Sequence, residues 1–144
     1  LPASALLFPL AVRSSSGEEA VVRTVLAIDE ERQTMTCAGD LPEGHYARLM
    51  RANFERLIDG ATAAATSALT HGDDPALALL ISCVGRKMVL RQRIEEEVES
   101  VREIFGEGAT LAGFYSYGEL SPATPDGACE LHNQTMTITT FKEV

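Results

Sequence analysis

Arg86 and Glu119 are oppositely charged, and each follows closely on a stretch that reads as a strand. A guanidinium grips a carboxylate through two parallel hydrogen bonds, and a glutamate takes an ammonium group. A free amino acid carries both groups, so the pair suits one if both side chains face a crevice. The same two residues could instead pair with each other and brace the strand ends. Ser82 and Cys83 stand at the strand-to-helix corner before Arg86, where a helix N-terminus would favour a thiolate. That corner is not GxSxG and no histidine is fixed beside it, so Cys83 reads more simply as a small packed residue. Tyr115 and Tyr117 share one face if their strand continues through Ser116. They can line a pocket or serve as core and edge packing. His132-Asn133-x-Thr135 offers an imidazole and an amide to a ligand, or else forms a polar turn between two strands. Together Ser82, Cys83, Arg86, Tyr115, Tyr117, Glu119, His132 and Asn133 make up the expected ligand site, with no residue assigned as catalytic.

Metal chemistry has little support. His45, His71 and His132 lack ligand spacing, and Cys37, Cys83 and Cys129 form no CxxC. Three scattered cysteines read as free thiols in a reducing compartment, which places the chain in the cytoplasm. No cofactor is expected. A haem would need an axial ligand, for which His45 or His132 could serve.

The elements that must position these residues follow from patterning. Ala20–Ile28 and Thr34–Cys37 read as a hairpin across an acidic turn, and His45–Met50 as a further strand. Asn53 is a plausible N-cap for a helix whose stripe runs Phe54, Leu57, Ile58, Ala61, Ala65, Ala68 and Leu69. Gly72 and Pro75 are expected to end it. The run from Ala76 to Ile81 has no polar face, the pattern of a strand covered on both sides. Lys87–Arg93 reads as a short helical turn. Ile94, Val98, Val101, Ile104 and Phe105 then make a second amphipathic helix, with Glu95, Glu96, Glu97 and Glu99 largely on its solvated side. Gly106 stops it. Leu111–Tyr115 is the next strand, where Gly113 implies close approach of a backbone or ligand. Cys129–His132 and Thr135–Phe141 close the fold. The expected class is α/β, or α+β-like: a mixed, largely antiparallel sheet with two main helices, in the order βββαβαβββ.

Composition narrows the partners. The chain has 144 residues, enough to bury its own core without disulfides or metal. A net charge of -9 supplies no basic footprint for nucleic acid or an anionic membrane. The apolar run from Ala76 to Ile81 is far too short to span a bilayer. Residues 1–18 read as an irregular leading segment or linker, and 19–144 as the domain proper. The missing initial Met suggests a piece of a longer protein.

One ordered set of motifs goes further. Ser82-Cys83-x-Gly85-Arg86, Glu95-Glu-Glu97, Gly113-Phe-Tyr-Ser-Tyr-Gly-Glu119 and His132-Asn133-x-Thr135 together resemble the C-terminal domain of FIST sensory proteins. Phe8-Pro9-Leu10 and Leu41-Pro42-Glu43-Gly44 are similar to that family as well. The resemblance implies a sensory domain of intracellular signal transduction. Its partners would be an N-terminal FIST domain and a downstream signalling module. It also implies small-molecule binding, with amino acids as suggested ligands, and haem-based nitric-oxide sensing in some members. Two other classes stay open: an enzyme using Cys83 or Glu119, and an interaction module that docks a partner through its acidic helix.

Overall fold

The computed structural model describes residues 3–14, 20–69, 75–122 and 127–142. Its organising strand is β6 (Leu77–Cys83). Two neighbours flank it, β7 (Thr110–Ser116) in parallel and β10 (Met136–Phe141) antiparallel. Parallel pairing of β6 and β7 requires a crossover. It is built from α2 (Val84–Leu90), a 3-10 turn and α3 (Ile94–Phe105). At the β6–β7 contact, a Cβ added to Gly113 would lie 2.1 Å from the Leu80 carbonyl oxygen. The expected close approach is therefore to backbone.

Among the described residues, α1 and α3 cover one face of this sheet. Ala78 and Leu80 of β6 and Met136 of β10 join Ala61 and Ala65 of α1 (Phe54–Ala68) and Val101 and Phe105 of α3 in one core. The small alanines of α1 let its backbone sit close to the sheet. Leu77, Leu79 and Ile81 point the other way and stay only half-buried. Phe114, in register with Ile81, is 58% exposed. A strand covered on both sides was expected for this run, but α1 and α3 both pack on its Ala78–Leu80 face.

The N-terminal half makes a second sheet in which β1 (Leu10–Arg13) pairs antiparallel with both β2 (Val21–Arg23) and β5 (Tyr46–Leu49). The leading segment is thus partly regular. It contains a 3-10 turn at Ala3–Leu7 and the central strand of a sheet, with Ala11 and Val12 buried. Two hairpins complete the fold, β3 (Val25–Asp29) with β4 (Thr34–Cys37) and β8 (Glu119–Pro122) with β9 (Cys129–His132). The class is mixed α and β as expected, with the strands divided among these sheets and hairpins.

The single strand expected over Ala20–Ile28 breaks at Thr24. There the backbone N–H is diverted to the Asn133 side chain at 3.2 Å, and the carbonyl accepts from Ala38 N at 2.9 Å. Asn53 caps α1 as expected, accepting from Arg56 N at 3.3 Å. Gly106 follows α3 with a φ of 72°, a conformation that glycine tolerates best. His71 and Gly72 lie outside the described residues. Among the described residues, no helix is long and apolar enough to cross a membrane.

Candidate functional site

The C-terminal end of β6, the start of α2 and the first turns of α3 bring Ser82, Arg86 and Glu97 together. Arg86 Nε donates to Glu97 Oε1, and Ser82 Oγ donates to the same oxygen at 3.1 Å. Arg86 also donates to the carbonyls of Leu57, in α1, and Gln134, the latter at 3.4 Å. Glu97 is 0% exposed and Arg86 3%. Ions removed from water to this degree persist only when paired and hydrogen-bonded. One oxygen breaks that rule, since Glu97 Oε2 is buried with no hydrogen-bond partner.

Glu97 corrects the expectation that this acidic run lies largely on the solvated side. It stands four residues before Val101 and eight before Phe105, both buried, so helical spacing puts it on the core side. That spacing was the available signal. The acidic run around it obscured the position.

Beside this cluster, between α3 and β7, runs a groove of about 220 Å³. Its walls are largely apolar, among them Val98, Leu111, Phe114 and Met136, with Ser82, Glu97 and Tyr115 as the polar members. Burial raises the Tyr115 hydroxyl pKa; the Glu97 carboxylate pushes the same way and Arg86 opposes. The Lys87 ammonium lies 4.7 Å from the centre of the Tyr115 ring, a cation–π contact.

Glu119 belongs to a neighbouring cluster. It is buried and accepts from Ser116 Oγ at 2.6 Å and Thr135 Oγ1 at 2.9 Å. Its partners are hydroxyls, while those of Arg86 are Glu97 and two carbonyls. The Cys83 thiol is buried near this carboxylate. Burial, the largest effect, raises its pKa; backbone hydrogen bonds from Gln134 and Gly85 oppose, and Glu119 adds to the rise. Desolvation thus outweighs the position of Cys83 at the head of α2.

The remaining candidates separate. Asn133 is fully buried and ties two chain segments: its Oδ1 accepts from Thr24 N, and its Nδ2 donates to the His132 carbonyl at 3.1 Å. Nε2 of His132 lies 3.0 Å from the Ser121 carbonyl oxygen, which requires the ring to carry its proton there. Nδ1 is then the ring nitrogen through which His132 would hold a haem, were one bound. His45 is exposed ahead of β5. Tyr117 is 88% exposed. Among the described residues, no group of three or more His, Cys, Asp or Glu side chains is placed to hold a metal.

Compared with known proteins, residues 1–122 match the family model described as the FIST C domain. No curated protein and no solved structure matches the chain.

Proposed function

The chain belongs to the FIST C-domain family, and we propose that it is the ligand-recognising sensory domain of a signal-transduction protein. The groove between α3 and β7 is its binding site. The observation that carries this reading is an apolar groove beside a buried Ser82–Glu97–Arg86 cluster in which one carboxylate oxygen has no partner. Binding sites are typically concave and apolar, with a few convergent polar groups. At about 220 Å³ the groove suits a small metabolite. An amino acid or related molecule fits best, its N–H donor serving Glu97 Oε2 and its side chain the apolar wall. The protonated, buried Cys83 thiol favours binding over covalent catalysis.

Binding signals only if it favours one conformational state. A hydrogen-bond route suited to that runs from Glu97 through Arg86 to the Gln134 carbonyl, and from Gln134 Nε2 to the Leu6 carbonyl at 3.0 Å. It ends near the N-terminus, where a preceding FIST domain would connect. That domain and a downstream signalling module are the partners this reading requires, in the cytoplasm.

A thermal-shift screen of amino acids and related small molecules tests it. Several should raise the melting temperature, and Val98→Trp, on the exposed side of α3, should abolish the rise by filling the groove. A screen without hits, or a rise that survives Val98→Trp, would remove the groove from sensing.

A further inference from the structure

A second cavity, of about 320 Å³, opens on the α1 side of Arg86, and its lining is unusual in charge. Arg51, Arg56 and Arg86 all contribute to it, and none of its lining residues is acidic. The whole chain has 21 acidic side chains against 12 lysines and arginines, so three arginines in one cavity run against its composition, even with Arg86 paired to Glu97. Among the described residues, neither Arg51 nor Arg56 has a carboxylate within ion-pair distance.

Helix α1 places no side chain at position 60 over the deepest of the three arginines, the buried Arg86. Asn53, Arg56, Leu57 and Gly60 recur at helical spacing and all line the cavity. A glycine inside a helix costs stability relative to alanine, so its place needs a reason. A Cβ at Gly60 would meet a single atom within 4 Å, Arg86 Nη1 at 3.6 Å. The missing side chain is therefore a window onto the guanidinium. That group has five N–H donors, three of which go to Glu97, Gln134 and Leu57. Two remain, and the bond to Gln134 is long.

We propose that this cavity binds a small oxyanion, the carboxylate or phosphate group of a metabolite, held by Arg86 through the Gly60 window and flanked by Arg51 and Arg56. Planar guanidinium groups match the geometry of both anions. The site is separate from the α3–β7 groove and stands whether or not that groove binds a ligand. Because Arg86 also contacts Glu97, occupancy of one site would be felt at the other.

Isothermal titration of the full chain with sodium phosphate and with sodium succinate, at ionic strength fixed by sodium chloride, tests the proposal. Saturable binding of either is expected. Phosphate alone would point to a phosphate ester, succinate alone to a carboxylate, and both to a general oxyanion site. Replacing the two exposed arginines together, R51Q with R56Q, should weaken binding about tenfold or more. G60L should abolish it by closing the window. Absence of saturable binding, or unchanged affinity in the double variant, would overturn the proposal even if G60L failed to fold.

Discussion

Arg86 and Glu97, eleven residues apart, meet inside the protein as an almost fully buried ion pair. The pair joins α2 to α3, and through the Leu57 carbonyl it also reaches α1. Removing one partner strands the other charge in a low-dielectric site. R86A should therefore cost roughly 3–5 kcal/mol in urea unfolding. The apolar double replacement R86M with E97L should recover much of that loss, because it strands no charge. A double variant as unstable as the sum of its single changes would show that the two residues act separately.

The β6–β7 contact makes a sharper steric prediction. A methyl group at position 113 would overlap the Leu80 carbonyl, so backbone must move to admit it. Gly113→Ala should lower stability by about 2–3 kcal/mol, as overpacking does in tight interiors. Amide exchange should rise along β6 and β7 first. Unchanged protection there would mean that the overlap is relieved without parting the strands.

Cys83 links burial to pH. A thiol whose pKa is raised by folding holds its proton longer in the native state than in the unfolded chain. Its contribution to stability is complete below the unfolded thiol pKa and is lost as pH rises from about 8.5 toward the folded value. Unfolding free energy should fall over that range, and less steeply in Cys83→Ala. Cys37, also raised by burial, keeps its own share in both proteins. With iodoacetamide, exposed Cys129 should react well before Cys83. Rapid modification of Cys83 at neutral pH would instead reopen a nucleophilic role.

Local signals were legible in the sequence wherever one segment decides its own conformation. The Asn53 cap, the α1 stripe ending in Ala61 and Ala65, and the stop at Gly106 rest on chemistry within a few residues. What escaped depended on distant partners. Thr24 leaves its strand because Asn133, 109 positions on, takes its N–H. Glu97 turns inward because Arg86 waits there. Residues 10–13 become the middle of a sheet only once β2 and β5 close on either side. Among the proposed ligand contacts, Ser82, Arg86 and Tyr115 gather around Glu97, whereas Cys83 and Glu119 form a second centre. Spacing along the chain placed both groups at strand ends but could not divide them.

The strands at the two margins of the central sheet, β7 and β10, contain no charged residue and no proline. Proteins usually blunt such margins with lysine, proline or a bulge, because unpaired backbone invites another chain. Here the adjoining face also leaves Phe114 and Phe141 half-open to water. Prepared alone at high concentration, this domain is therefore disposed to self-associate, edge against edge. Low concentration or an attached neighbour would be needed to keep it monodisperse.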